Sequence, residues 1–324
     1  MNETLIEVKN LKKYFATKNF FGGNKHVVKA VDDVSFTIRK GETFGLVGES
    51  GCGKSTLGRT IIRMYDVTDG DILFDGTNIA RLEKKQLGVY HRKMQIIFQD
   101  PYSALNPSMN VGEIINEPLL LDKEMSSKDR ENKIVSLLEK VGMKKDDMER
   151  FPYEFSGGQR QRIGIARALS TNPEFILCDE PISALDVSIQ AQVVNLLEDY
   201  QQEIGVPYLF VAHDLSMVRH ISHRIGVMYL GNLVEMGDCD DVYDHPLHPY
   251  TQALLSAIPI ADPQKARSST RQTIGGNIPS PMDVPSGCRF HTRCPYAKPI
   301  CSEVAPVSKE CEKGHFTSCH LYDE

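Results

Sequence analysis

Nine residues, Gly48-Glu49-Ser50-Gly51-Cys52-Gly53-Lys54-Ser55-Thr56, carry the spacing G-x-x-x-x-G-K-[ST] of a phosphate-binding loop. Gly48, Gly51 and Gly53 let the backbone approach an anion with no Cβ in the way, and a turn that opens a helix aims its N–H groups at the charge. Lys54 is placed to reach the β- and γ-phosphates of ATP, and the Ser55 hydroxyl to ligate Mg2+. Ser50 and Thr56 lie in the same cradle. Further on, Ser156-Gly157-Gly158-Gln159 precedes Cys178-Asp179-Glu180. Asp179 ends an apolar run, where an acid holds the Mg2+ shell through water, and Glu180 is the residue to polarise an attacking water as general base. Gln99 follows the apolar run ending at Phe98 and is placed to sense the γ-phosphate through Mg2+ or water. His213 follows Tyr208–Ala212 on what should be the same edge of the sheet. The expected chemistry is binding and hydrolysis of a nucleoside triphosphate. It needs a partner, because Ser156–Gln159 has no task within its own phosphate loop.

The elements that must position these residues alternate. Leu5 to Val8 and Val28 to Ile38 read as strands, and Thr43 to Val47 as a buried strand entering the loop. Lys54 to Arg63 follows as a helix. Gln95 to Phe98, Phe175 to Cys178, Tyr208 to Ala212 and Ile225 to Leu230 are short apolar strands, and Gln159 to Leu169 and Val193 to Tyr200 are helical. Val111 to Met143 has only helical spacing, which predicts a helical subdomain over about residues 100–172, inserted between Gln99 and Asp179. Strands alternating with helices predict an α/β fold with a largely parallel sheet covered on both faces. Lys18 to Lys25 reads as a loop. Pro259 to Pro285, rich in Pro, Ser, Gly and Thr, reads as a linker or irregular wrap. The expected division is 1–257 for the nucleotide-binding domain and 258–324 for a Cys-rich C-terminal extension.

At 324 residues the chain suits one large domain plus an appendage. A net charge of −6 with no long basic run disfavours nucleic acid as a partner. No uncharged apolar stretch is long enough to span a bilayer, and Met1 to Leu11 carries acids unlike a signal peptide, so a cytoplasmic protein is expected. Five of the eight cysteines fall in the last 37 residues, which in a reducing compartment reads as a metal site sooner than a disulfide framework. Cys52, at a helix N-terminus, is expected to have a lowered thiol pKa, and Cys178 to be a small core residue. Lys84, Lys85, Arg92 and Lys93 read as a solvated helix face.

Gly48–Thr56, Gln99, Ser156–Gln159, Asp179-Glu180, Ser183-Ala184-Leu185-Asp186 and His213 follow the order and spacing of ABC-transporter nucleotide-binding subunits, and the chain resembles that family over about residues 4–260. The resemblance implies a P-loop NTPase fold and names these segments Walker A, Q-loop, signature, Walker B, D-loop and H-loop. It implies two subunits facing head to tail, the signature of one closing over the ATP of the other. Phe155 stands where the family usually has Leu before the signature Ser. Phe15 resembles the aromatic residue that stacks on adenine, with Tyr14 as the alternative and core packing open for both.

Phe98 to Pro107, His245-Pro246-Leu247-His248-Pro249-Tyr250-Thr251 and Gly287-Cys288-Arg289-Phe290-His291-Thr292-Arg293-Cys294-Pro295-Tyr296 further resemble the oligopeptide/dipeptide importer ATPases, of the second-ATPase type. That resemblance implies a second ABC ATPase subunit in a heterodimer, two transmembrane permease subunits and an extracytoplasmic substrate-binding protein. The location it implies is peripheral, on the cytoplasmic face of the cell membrane. Nickel, glutathione or oligosaccharide uptake is the alternative cargo. A soluble ABC ATPase of translation or DNA repair is the alternative class, against which stand the single P-loop and the lack of a long heptad run. Cys288, Cys294, Cys301 and Cys319 occupy the positions of a family motif implicated in a [4Fe–4S] cluster. Four thiolates hold zinc equally well, but the spacing is not that of a C-x2-C ribbon and favours the cluster. Cys311 is extra, and His291, His315 and His320 are expected at the surface.

Overall fold

The computed structural model describes residues 3–17, 26–258 and 275–323, so the loop expected over Lys18 to Lys25 and most of the linker expected from Pro259 lie outside the described residues. In chain order the strands are β1 (Thr4–Thr17), β2 (His26–Arg39), β3 (Thr43–Val47), β4 (Asp69–Phe74), β5 (Thr77–Asn78), β6 (Met94–Ile97), β7 (Phe175–Asp179), β8 (Tyr208–Val211), β9 (Arg224–Tyr229), β10 (Asn232–Asp238), β11 (Lys309–Glu312) and β12 (His315–Thr317). The helices are α1 (Lys54–Ile61), α2 (Lys84–Lys93), α3 (Pro101–Ala104), α4 (Val111–Leu119), α5 (Ser127–Lys140), α6 (Gly157–Leu169), α7 (Val187–Ile204), α8 (Leu215–Ile221), α9 (Cys239–Asp244), α10 (Pro249–Ser256) and α11 (Ile300–Glu303).

The chain forms two compact units. The first comprises Met1–Glu3, Arg39–Glu42 and Leu82–Ala212. Its strands β6, β7 and β8 lie side by side and run parallel. All five residues of β7 and all four of β8 are buried, as expected where helices cover both faces. Between β6 and β7 every regular element is a helix. Asn110 and Glu113 form a capping box at the start of α4, exchanging bonds of 2.8 and 2.9 Å with each other's backbone N–H. Ile114, Ile115, Leu119, Ile134, Leu137, Leu138 and Val141 are buried beneath α4 and α5. Each such side chain contributes roughly 1.5–3 kcal/mol. The helical insertion expected from the spacing is therefore present.

The second unit comprises Thr4–Ile38, Thr43–Arg81 and His213–Glu324. It holds a four-stranded sheet of order β2-β1-β4-β5 and the strand series β11-β12-β10-β9-β3. β3 and β9 run parallel here, whereas β9/β10, β10/β12, β11/β12, β1/β4 and β4/β5 are antiparallel. The expected largely parallel sheet is thus correct for the first unit and wrong for most of the second. Two-residue hairpin turns explain the difference. Leu230 (φ 42°) with Gly231 (φ 87°) joins β9 to β10, and Asp75 (φ 47°) with Gly76 (φ 77°) joins β4 to β5. Both residues of each turn take positive φ, the backbone that reverses a strand onto itself. The tail adds strands to this unit: β12 pairs with β10, and β11 with β12.

Candidate nucleotide site

In the second unit, β3 delivers the chain to the loop and α1 carries it away. Gly53 caps α1 in the left-handed conformation, and no side chain caps the first turn, so backbone N–H groups face outward as an anion site requires. Two glycines are obligatory. A Cβ on Gly48 (φ 149°) would stand 2.1 Å from the Met228 carbonyl oxygen, and one on Gly53 (φ 109°) 2.0 Å from that of Ala30. Lys54 is almost fully buried and folds back over the loop. Its Nζ donates to the carbonyls of Gly48 (2.8 Å) and Glu49 (3.2 Å) and lies 3.5 Å from His213 Nδ1. The structure thus brings together two of the expected site residues, Lys54 and His213, that are 159 positions apart. Ser55 and Thr56 are half-buried in the first turn of α1, and Ser50 and Gly51 are exposed at the loop tip.

Cys52 departs from expectation. It is buried, and burial pushes its thiol pKa up, with the Lys54 ammonium opposing only in part. Loss of hydration outweighs the helix N-terminus. Cys178 is fully buried in β7, as expected of a core residue.

Phe15 and Tyr14 separate cleanly. The Phe15 ring is 37% exposed, edge-on to Tyr65 at 5.6 Å, with Lys13 Nζ 4.8 Å from its centroid. Tyr14 is anchored: its hydroxyl donates to Asp32, which Arg289 also holds. Burial, reinforced by that bond, pushes the Tyr14 phenol well above its ordinary range. Phe15 therefore offers an open face and Tyr14 does not. Tyr65, its ring neighbour, gave no signal in the sequence.

In the first unit, Gln99 Nε2 donates to Glu180 Oε2 at 2.7 Å, so these two expected residues also meet. Glu180 is 6% exposed and takes φ 52°, a strained conformation for a residue with a Cβ. Its N–H donates to Val211 O (3.0 Å), and its carbonyl accepts from Ser183 Oγ (3.1 Å). Those bonds hold the strained turn. Asp179, fully buried, closes β7. Ser156 is the N-cap of α6, and Ser156 and Gln159 bond each other's backbone N–H at 3.4 and 3.0 Å. The helix begins at Gly157, two residues before the expected start. A Cβ on Gly158 would meet Ile189 Cγ2 at 2.5 Å, which requires glycine there, and Phe155 is buried beneath the turn.

The tail corrects the expectation for two histidines and lends the expected cluster no support. Among the described residues no group of three or more His, Cys, Asp or Glu side chains is disposed to hold one metal ion. Burial pushes the thiols of Cys288 and Cys294 up and that of Cys319 up to about 11. Cys301 Sγ accepts from the Lys298 N–H at 3.4 Å. His315 and His320 are buried, not superficial. His315 Nε2 pairs with Glu235 Oε1 at 2.8 Å, and His320 Nε2 lies 2.8 Å from Val304 O.

Comparison with known proteins decides the family. Residues 31–183 match the ABC transporter family, and residues 234–301 match the oligopeptide/dipeptide transporter C-terminal region. The oligopeptide transport ATP-binding protein OppF of Bacillus subtilis (strain 168) is 59% identical over 98% of this chain and 97% of its own. The chain belongs to the oligopeptide/dipeptide ABC transporter ATP-binding family. Within that family, the oligopeptide transport ATP-binding protein AppF of the same organism is 53% identical over 99% of this chain and 98% of its own. Escherichia coli (strain K12) OppF is 48% identical over 99% and 97%. Among solved structures, the ATP-binding cassette MJ0796, as a dimer in a post-hydrolysis state bound to ADP and phosphate, superimposes with TM-score 0.66 at 28% identity. That match covers 72% of this chain and 99% of that one. ABC-family ATPases bind ATP with Mg2+. No helix among the described residues is long and apolar enough to cross a membrane.

Proposed function

We propose that this chain hydrolyses ATP to drive import of oligopeptides or dipeptides. It would act at the cytoplasmic face of the membrane, paired with a second ATPase subunit and docked on two permease subunits fed by an extracytoplasmic binding protein. The Gln99–Glu180 bond carries the catalytic part of this reading. It aims a carboxylate, pinned at a strained turn directly after buried Asp179, with a donor that comes from the strand end where a γ-phosphate sensor belongs. In this mechanism Glu180 accepts the proton of the attacking water. Gln99 orients Glu180, and Lys54 exchanges its loop carbonyls for the β- and γ-phosphates. His213, beside Lys54, contacts the γ-phosphate. Ser55, Gln99 and Asp179 would hold Mg2+, which would neutralise phosphate charge. Gly48, Ser50, Gly51, Gly53 and Thr56 line the phosphates, and Phe15 stacks on adenine. Ser156, Gly157, Gly158 and Gln159 serve the partner's ATP through the N–H groups that open α6.

The decisive test is Glu180→Gln. ATP should still bind while turnover falls by about 10²–10⁴-fold, the usual worth of a general base. Hydrolysis at the native rate would remove Glu180 from that role.

The proposed division places the nucleotide-binding domain in residues 1–257, with the helical subdomain over about 100–172, and the Cys-rich extension in 258–324. For the tail the reading is a structural [4Fe–4S] cluster on Cys288, Cys294, Cys301 and Cys319. The support is the resemblance of these four positions to the family motif implicated in such a cluster. Their spacing is not that of a C-x2-C ribbon, which favours the cluster over tetrahedral zinc. Protein purified without oxygen should contain four irons and four acid-labile sulfides per chain; stoichiometric zinc without iron would reverse the assignment.

A further inference from the structure

Two motifs that the ATPase chemistry leaves unused, His245–Thr251 and Gly287–Tyr296, converge on the phosphate loop within the second unit. Arg293 donates through Nη1 to Glu49 Oε2 (2.8 Å) and through Nη2 to Glu49 Oε1 (3.0 Å), a bidentate fork. The Arg293 side chain is 7% exposed and that of Glu49 22%, so the pair is largely shielded from water. From the other motif, Tyr250, fully buried, accepts the Glu49 backbone N–H on its hydroxyl at 2.8 Å. Glu49 is the residue between Gly48 and Ser50, so its side chain and its backbone are both held from outside the loop.

A second hold runs through the β9–β10 turn. Arg289 donates to the Leu230 carbonyl and to Asp32, and the Gly231 N–H donates to the Cys52 carbonyl at 2.8 Å. Phe290, between the two arginines, is buried against Tyr229, Tyr250 and His248 with centroids 5.2 to 5.7 Å apart. The packing fixes the segment that carries both arginines.

We propose that Arg293 is a positioning residue for nucleotide binding. It holds Glu49, and through Glu49 the loop N–H groups that receive the phosphates, so the affinity for ATP depends on the tail. This rests on the reading of Gly48–Thr56 as the ATP site. A loop already held in its binding shape has less ordering to undergo when ATP arrives. Removing one partner of a shielded, bidentate charge pair leaves the other without its match and free to pull the loop elsewhere.

The test uses the full chain and a fluorescent ATP analogue with Mg2+. Measured well below each variant's thermal midpoint, Arg293→Gln and Glu49→Gln should each weaken binding about tenfold, the worth of one good charged hydrogen-bond pair. The double variant should bind no more weakly than either single one, because both remove the same interaction. Arg293→Lys, which keeps the charge and loses the fork, should fall between. A merely structural tail would lower the thermal midpoint and leave affinity unchanged, which would overturn the proposal. Should Arg293→Gln fail to fold, Glu49→Gln decides alone, since it leaves the tail intact; affinity within about twofold of native would then refute the role. A native chain that bound no ATP would instead refute the reading of the loop.

Discussion

The phosphate loop and the cysteine-bearing tail lie in one compact unit but are specified in opposite ways. The loop, Gly48–Thr56, works through its own backbone: two glycines pass within about 2 Å of where a Cβ would strike neighbouring carbonyls, and a helix begins with its N–H groups uncapped. The tail works through side chains that reach far along the chain. Arg293 meets Glu49 across 244 positions, Arg289 meets Asp32 across 257, and His315 meets Glu235 across 80. A local device can be recognised from nine consecutive residues. A long-range device cannot, because each of its residues looks ordinary until folding supplies its partner.

The sharpest challenge to that contrast is Gly53→Ala. The added methyl has nowhere to go without displacing the Ala30 carbonyl, and the positive φ penalises it further. ATP binding should be lost, whereas the tail contacts should persist; retained binding in a titration would show that the loop is less locally determined than claimed.

The segment that packs against the tail at Phe290 should respond to acid. Burial holds the His248 imidazole down to about 4, against about 6.5 in an unfolded chain. Between those values the unfolded chain binds a proton that the folded chain refuses. Stability therefore rises with pH through the window and is lost as pH falls from about 6.5 toward about 4, by about 3 kcal/mol in all. His248→Asn keeps an acceptor for the Tyr250 N–H that His248 Nδ1 now accepts at 3.1 Å, but does not titrate there. Denaturant midpoints of this variant should vary less with pH than those of the native chain. Equal slopes would mean that another group governs the acid response.

The smallest effect belongs to the loop's own cysteine. Cys52 is buried with a raised thiol pKa, so it acts as a small packing group and not as a reactive one. Cys52→Ser should cost about 1 kcal/mol or less in stability and leave ATP turnover near native. In the folded native chain iodoacetamide should leave this thiol unmodified. Rapid alkylation would reinstate the helix N-terminus as the dominant influence on it.

Much of the fold was legible because period and punctuation agree. Thr43–Val47, Phe175–Asp179 and Tyr208–Val211 are apolar runs too short for helices and are fully buried strands. Asn110 with Glu113, and Ser156 with Gln159, are capping boxes at helix starts. β4 was missed although Asp75-Gly76 is a hairpin signal, because Asp69-Gly70-Asp71 at its start reads as a turn. β11 was missed because Lys309-Glu310-Cys311-Glu312 carries three charges in four positions and little apolar surface.

By itself the sequence determined the nucleotide chemistry. Its loop, its signature and the acids after β7 are contiguous words whose meaning depends on nearby backbone and residue type. Tertiary structure alone decided that Glu180 is aimed by Gln99, that Lys54 lies beside His213, and that Cys52 is an unreactive core thiol. It also decided that the tail grips Glu49 through Arg293 and Tyr250. The physical reason is that orientation and desolvation are set by what surrounds a side chain in space, and those neighbours come from anywhere in the chain.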